Sequence, residues 1–140
     1  MLWCYEVRHM DEKRIIDEKL SNTNPIDLNP MIITDLNLRI VGVNRNWINM
    51  CKFSHEEAFG NTPKILQGPL TNIEVARSFA STLCSGLSSS ASLINYKKNG
   101  NIFMNHIYGW SMGDLFVAET YKNEELYEPL KNTLLLQVFL

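Results

Sequence analysis

Three β-strand patterns follow one another along the chain with only short polar turns between them. They cover residues 88–96, 102–112 and 115–121, and Asn99-Gly100 marks the first turn. Strand-forming residues on both sides of an Asn-Gly pair are typical of a β-hairpin. Turns this short connect antiparallel strands, so the pattern predicts an antiparallel sheet.

A shorter strand pair and several short helices are predicted before these three strands. Residues 31–34 and 39–43 are apolar runs separated by a polar turn, which indicates a hairpin. The order of strand pair, helices and three strands predicts an α+β fold with helices on one face of the sheet. Helix starts are predicted at Asn44 and at the Ser54–Glu57 and Thr71–Glu74 capping boxes, and helix ends at Gly60 and Gly86.

Flanking segments are predicted on both sides of this compact region. Residues 1–30 are interpreted as a helical extension and linker, 31–121 as the core and 122–140 as a flanking helix. Leu126, Leu130, Leu134 and Val138 form an apolar stripe at helical spacing in the last segment. We therefore expect this tail to cover the sheet or a second subunit.

Composition excludes several classes of protein. A net charge of −2 argues against a dedicated surface for nucleic acid or anionic membrane. The three cysteines are odd in number and widely spaced, which favours reduced thiols in a soluble intracellular protein. No apolar run reaches the roughly 20 residues of a membrane span, and the dispersed histidines predict no metal site.

Two motifs carry a family resemblance. The stretch 60–69 reads GNTPKILQGP, and Asn95-Tyr96, Gly100, Phe103 and Asn105 follow downstream. Together they resemble the LOV subgroup of PAS domains, blue-light receptors that hold flavin mononucleotide (FMN) beside a reactive cysteine. The resemblance implies the PAS fold, a five-stranded antiparallel sheet with short helices on one face, over roughly residues 30–121.

The resemblance also implies a site, which this chain keeps only in part. Asn95, Asn105 and Gln67 match residues that contact the flavin ring in the family. The position of the reactive cysteine is Pro63, which offers no thiolate, so a covalent bond to flavin is excluded there. Four further positions differ from the family or keep only its charge: Thr62 replaces an asparagine, Lys64 keeps a phosphate-facing charge, Arg77 stands near Ala80 where a second arginine is usual, and Thr120 replaces the signalling glutamine.

Each of these residues also has a plain structural interpretation. Asn95 and Asn105 could bond each other or buried water, and Gln67 could cap local backbone. Lys64 and Arg77 could be solvated surface charges. The functional interpretation requires both asparagines on one face of the sheet. We therefore expect a three-residue loop, Asn99-Gly100-Asn101, that places Asn95 opposite Asn105, because a two-residue loop would turn them to opposite faces.

The remaining side chains give no indication of catalysis. No set of nucleophile, base and orienting acid is recognisable, so we expect no enzyme. Trp47, Phe79, Cys51 and Cys84 are interpreted as core residues, His106 is expected to face away from the site, and Trp110 to lie on an exposed sheet face.

The leading prediction is a sensory and protein-interaction module without photochemistry, with no cofactor, acting through flanking helices as a homodimer or with a partner protein. The alternative is a flavin-binding blue-light or redox sensor without an adduct, and a different small ligand also stays open.

Overall fold

The fold is a single antiparallel sheet with helices inserted between its second and third strands. The computed structural model describes residues 28–126, so the predicted flanking segments, 1–30 and 122–140, lie mostly outside the described residues. The elements in chain order are β1 (Met31–Asp35), β2 (Ile40–Val43), α1 (Arg45–Cys51), α2 (His55–Ala58), a 3₁₀ helix (Pro63–Leu66), α3 (Ile73–Cys84), β3 (Ser89–Tyr96), β4 (Ile102–Met112) and β5 (Leu115–Glu125).

The five strands lie in the order β2-β1-β5-β4-β3, and every neighbouring pair is antiparallel. The first hairpin therefore lies beside the last strand, and β2 and β3 form the two edges. The helices connect one edge to the other, which requires them to cross a face of the sheet. This arrangement confirms the predicted α+β fold.

Apolar clusters form on both faces of the sheet. On the helical side, Trp47 and Cys51 of α1 pack with Phe103 of β4, and Ile32 of β1 packs against them. Met31 and Ile33 alternate with Ile32 along β1, so they face the other way, where they pack with Leu115 and Val117. Trp110 packs against this second cluster and is only partly exposed, so it is more buried than we expected.

Local capping patterns set two helix starts as predicted. The Oδ1 atom of Asn44 accepts hydrogen bonds from the backbone N–H of Trp47 at 2.9 Å and of Met31 at 3.0 Å, so it caps α1 and ties it to β1. Ser54 and Glu57 form the reciprocal capping box of α2. Both caps satisfy N–H groups that have no partner inside the helix.

The predicted capping box at Thr71 is wrong. Asn72 caps α3 instead, because its side chain accepts a hydrogen bond from the backbone N–H of Val75 at 3.2 Å. The Thr71 hydroxyl donates to the carbonyl of Ile94 at 2.6 Å and accepts from the N–H of Gly68 at 3.0 Å. A tertiary contact with β3 thus uses the Thr71 hydroxyl, which the local pattern had assigned to the cap of α3.

The register predicted for the β3–β4 hairpin is also wrong. Asn95 lies opposite Phe103, and Asn105 lies opposite Leu93. The loop has three residues but begins one residue earlier than expected, since the Lys97 N–H donates to the Asn101 carbonyl at 2.8 Å and Gly100 takes the left-handed conformation at φ 88°. A shift of two in the pairing preserves the face of every side chain, so both asparagines still point to the same side.

The sheet extends beyond the predicted boundary at residue 121. β5 continues to Glu125, and residues 122–125 pair with 103–106 of β4 after an irregularity at His106. A start of the C-terminal helix at residue 122 is therefore wrong. Two ion pairs lie here, Lys122 Nζ with Glu124 at 2.9 Å and Lys97 Nζ with Glu125 at 3.3 Å.

Candidate ligand cavity

A cavity of about 710 Å³ lies between the sheet and the helices. This volume is within the usual range for sites that hold small organic molecules. We call the side contributed by β3, β4 and β5 the sheet floor, and the side contributed by residues 62–67 and α3 the helical wall. All eight positions singled out from the sequence line this cavity: Thr62, Pro63, Lys64, Gln67, Arg77, Asn95, Asn105 and Thr120.

The sheet floor carries a chain of hydrogen bonds between three buried polar side chains. The Thr120 hydroxyl donates to Asn105 Oδ1 at 2.8 Å, and Asn105 Nδ2 donates to Asn95 Oδ1 at 2.9 Å. Each of the three residues is only 4% exposed. The two asparagines therefore bond each other, as the structural interpretation expected, and they do so at the cavity surface.

This chain of bonds leaves hydrogen-bonding capacity unused. Each carboxamide has two N–H donors and two acceptor lone pairs. Asn105 Nδ2 uses one donor on Asn95, while Asn95 Nδ2 makes only a long 3.3 Å contact with the Ile94 carbonyl. The sheet floor can thus offer donors and acceptors to a ligand without breaking its own bonds.

Apolar side chains make up most of the remaining surface. Trp47, which is 2% exposed, lines the cavity although the sequence suggested only a core role. Phe79 of α3 also lines the cavity, as do Leu93 and Ile107 of the sheet floor. Apolar residues at helical spacing give no signal that separates a packed core from a cavity wall, so this role could not be predicted.

Pro63 begins the 3₁₀ helix of the helical wall. Proline suits the first position of a helix, because its fixed φ is already helical and its missing N–H would have no partner there. Thr62 precedes it without forming a side-chain cap. The helix is held against the sheet by Gly68, whose absent Cβ leaves room for the Tyr96 ring, and by the Leu70 N–H, which donates to Tyr96 Oη at 3.0 Å.

No thiol lines the cavity within residues 28–126. Cys51 is fully buried in the apolar cluster, and burial raises the pKa of its thiol to about 11. Cys84 lies exposed at the end of α3, so the core position predicted for it is wrong. Neither cysteine can take the role of the residue that Pro63 replaces.

The two cations of the helical wall are exposed to solvent. The side chain of Arg77 is 76% exposed and lies 3.9 Å from Glu74, which is 88% exposed. Lys64 is also exposed. Exposed charges interact weakly with partners because water screens them. Gln67 also lines the cavity.

His106 lies away from the cavity, as its alternation with Asn105 predicted. Its Nδ1 is 2.6 Å from the Ser92 hydroxyl, and its Nε2 is 3.7 Å from a Glu124 oxygen. Sequence reasoning missed this group because its members come from three strands.

Within the described part of the chain, no group of three potential metal ligands occurs. Between residues 28 and 126, no helix is long and apolar enough to cross a bilayer.

Sequence comparisons point in the same direction as this geometry. The PAS domain family model matches residues 28–128. The bacterioopsin transcriptional activator of Halobacterium salinarum is 24% identical over 98 residues, which is 70% of this chain and 14% of that protein. A blue-light-activated histidine kinase of Rhizobium johnstonii is 28% identical over 82 residues, or 56% of this chain and 24% of that protein. The chain thus spans a quarter or less of each relative.

Structural comparisons match LOV domains. The light-state structure of the Aureochrome1 LOV photoreceptor aligns with a TM-score of 0.63 at 20% identity, covering 83% of this chain and 95% of that one. The LOV domain of a blue-light activated histidine kinase from Erythrobacter litoralis also aligns with a TM-score of 0.63 at 20% identity, covering 71% and 97%. At this identity the comparisons show a shared fold.

Proposed function

Because the chain belongs to the PAS domain family, we propose that it is a LOV-like sensory and protein-interaction module that works without a cysteinyl–flavin adduct. The observation that carries this proposal is the position of Pro63 in the helical wall of the cavity. An adduct requires a nucleophilic thiolate next to the ligand. Pro63 has no such group, and the thiol of Cys51 is buried and kept protonated.

The output of the module is contact with a protein, either a second copy of the chain or a partner. Support comes from the apolar stripe at Leu126, Leu130, Leu134 and Val138. This stripe follows β5 directly, and the Leu126 N–H still donates to the Ile102 carbonyl at 3.1 Å. A change in the conformation of β5 would therefore be transmitted directly to the tail. A stripe of this kind requires an apolar partner surface.

Two measurements on the full chain test this proposal. Blue light applied to the protein with added FMN should produce no bleached species that absorbs in the near ultraviolet. Such a species would overturn the adduct-free mechanism. Sedimentation should give a dimer or a complex with a partner that is lost when residues 127–140 are removed. A monomer that engages no partner, with a tail fully sensitive to protease, would contradict the proposed output.

A flavin-dependent light or redox sensor without an adduct is the second candidate function. The specific observation in its favour is Trp47, a buried indole that lines the cavity. A bound flavin would supply light absorption and redox chemistry, and the indole would supply an electron to it. Purified protein with a yellow colour and vibronic structure in the flavin band would support this candidate. A protein that stays colourless after flavin addition would dismiss it.

A further inference from the structure

The β3 edge of the sheet carries backbone groups that have no partner among the described residues. We infer that β3 pairs through this edge with β3 of a second copy of the chain, antiparallel and centred on Ala91. The pairing rests on the proposed function, because the tail would supply the apolar part of the same dimer interface. It adds a contact surface that lies within the PAS core itself.

The hydrogen bond between Thr71 and Ile94 shows which backbone groups of β3 point outward. The Ile94 carbonyl accepts from the Thr71 hydroxyl, so it faces away from β4. In an antiparallel ladder, every second residue of an edge strand directs both its N–H and its carbonyl away from the neighbouring strand. The β3–β4 register runs without a bulge, so Ser90 and Ser92 share the direction of Ile94. Their N–H and carbonyl groups therefore point out of the sheet edge.

Other parts of the two sheet edges are covered by the chain itself. Just beyond β3, the Lys98 N–H donates to the Cys51 carbonyl at 2.9 Å. On the opposite edge, Ile40 of β2 donates its N–H to the Asn61 carbonyl at 2.8 Å and accepts from the Gly60 N–H at 2.9 Å. The first half of β3 is thus the segment of edge that stays open among residues 28–126.

The backbone of Ser90 and Ser92 is accessible at this open segment. Both residues are exposed, and no backbone group of another described element bonds their outward groups. The Ser92 hydroxyl lies 2.6 Å from Nδ1 of His106, so it is held towards β4 and does not cover the edge. Free N–H and carbonyl groups at this spacing are complementary to an extended peptide strand.

The open segment lacks the features that usually prevent strands from pairing at a sheet edge. Residues 86–96 read GLSSSASLINY, with no charged residue and no proline. The register of β3 with β4 contains no bulge. Exposed edge strands normally carry charges, prolines or bulges, because an unprotected edge adds further strands. Their absence here favours strand addition.

The free groups of this segment are complementary to those of a second copy. In an antiparallel pair centred on Ala91, Ser90 of each copy lies opposite Ser92 of the other. Each of these two pairs exchanges two bonds, so about four backbone hydrogen bonds form. The facing side chains are small and uncharged, so no like charges oppose the contact. A contact with so little apolar area is weak by itself, so we expect the dimer to dissociate on dilution and to depend on the tail.

Cysteine cross-linking tests the pairing on the full chain, with Cys4 and Cys84 replaced by serine. At the centre of the pair, the Cα atoms of the two Ala91 residues would lie about 4.5 Å apart, within the roughly 4.4–6.8 Å that a disulfide spans. Ala91→Cys should therefore give a disulfide-linked dimer under mild oxidation. Ser89→Cys is the matched control, because its two copies would lie about 14 Å apart. Equal cross-linking of both variants would overturn the pairing, and so would a monomeric Ala91→Cys, which is the result expected if β3 receives a strand of another protein.

Two variants of Ser90 separate the backbone contact from the side chain. Ser90→Pro removes the outward N–H and leaves the bonds to β4 in place, as proline does on an edge strand. It should raise the dissociation constant of the dimer by at least about tenfold in sedimentation, because each of the two pairs loses one bond. Ser90→Ala is the control, because it keeps the N–H and should leave the constant unchanged. A dimer that tolerates Ser90→Pro as well as Ser90→Ala would contradict the pairing.

Cross-linking decides the question if Ser90→Pro fails to fold, and it separates the edge from the tail. A dimer that is lost on removal of residues 127–140 but gives no Ala91→Cys cross-link would overturn the edge pairing and leave the proposed function intact. A cross-linked dimer that forms equally well without residues 127–140 would support the edge pairing and contradict the proposed role of the tail.

Discussion

The polar side chains of the sheet floor and of the helical wall differ in how deeply they are buried. On the sheet floor, Asn95, Asn105 and Thr120 are buried and joined by hydrogen bonds of 2.8–2.9 Å. On the helical wall, Lys64 and Arg77 lie in solvent. Buried polar groups must be satisfied, so the sheet floor tolerates little change. Exposed cations cost almost nothing to replace, which explains why a site can lose its charged contacts and keep its shape.

The largest expected effect comes from the apolar support of the sheet floor. Phe103 of β4 is 1% exposed and packs with Trp47 and Cys51. Phe103→Ala should lower the free energy of unfolding by about 3–5 kcal/mol, measured by urea denaturation, because a cavity replaces a buried ring. Phe59→Ala is the control, because Phe59 is 39% exposed at the end of α2. A loss of similar size in both variants would show that burial does not distinguish the two positions.

The next effect depends on pH and distinguishes the two described cysteines. Burial holds the pKa of Cys51 at about 11, above its ordinary value of 9.0. The folded state therefore retains a proton that the unfolded state loses, and stability falls as the pH rises from about 9 towards 11. The expected loss by pH 10.5 is roughly 2 kcal/mol, since each tenfold change in proton affinity is worth about 1.4 kcal/mol.

Variants isolate this contribution from other groups that titrate at high pH. Cys51→Ala should remove this part of the pH dependence, while Cys84→Ala should leave it intact because Cys84 is exposed. Urea denaturation at pH 8 and pH 10.5 measures the slope for each variant. An unchanged slope in Cys51→Ala would mean that the thiol is hydrated in the folded state.

The packing between the end of the 3₁₀ helix segment and β3 of the sheet depends on one glycine, Gly68. A Cβ on Gly68 would lie 2.4–2.6 Å from three atoms of the Tyr96 ring. The ring cannot move freely, because its hydroxyl accepts the Leu70 N–H. Gly68→Ala should therefore destabilise the fold by about 2 kcal/mol through overpacking. The penalty should shrink in a Tyr96→Ala background; an equal penalty there would place its origin in the backbone.

Sequence reasoning succeeded where local chemistry decides the structure. Asn44 and Ser54 cap helices as the local pattern predicted, and the tertiary bonds of Asn44 to Met31 and Asn29 are compatible with its cap. At Thr71 a contact with β3 decides instead, and Asn72 takes over the cap. The cavity positions were found through the resemblance to LOV domains, and alternation along the strands placed Asn95 and Asn105 on the same face of the sheet.

Other features have no local signal. Two hairpin registers that differ by two residues present the same faces, so the pattern could not separate Asn95–Asn105 pairing from the observed Asn95–Phe103 pairing. Three of residues 122–125 are charged, as in an exposed helix, but cross-strand partners on β4 keep the segment in β5. Trp47 shows the same limit, because apolarity does not reveal that a buried ring borders a cavity.

The smallest effect concerns the hydroxyl that completes the chain of hydrogen bonds on the sheet floor. Thr120→Val keeps the shape of the side chain but removes the donor to Asn105 Oδ1. The unpaired carbonyl should cost about 1–2 kcal/mol in urea denaturation, because it is buried. Thr82→Val, which removes an exposed hydroxyl bonded to the Ser78 carbonyl, should cost about 0.5 kcal/mol or less. If Thr120→Val is as mild as Thr82→Val, water must reach Asn105, and the sheet floor would then be as solvated as the helical wall.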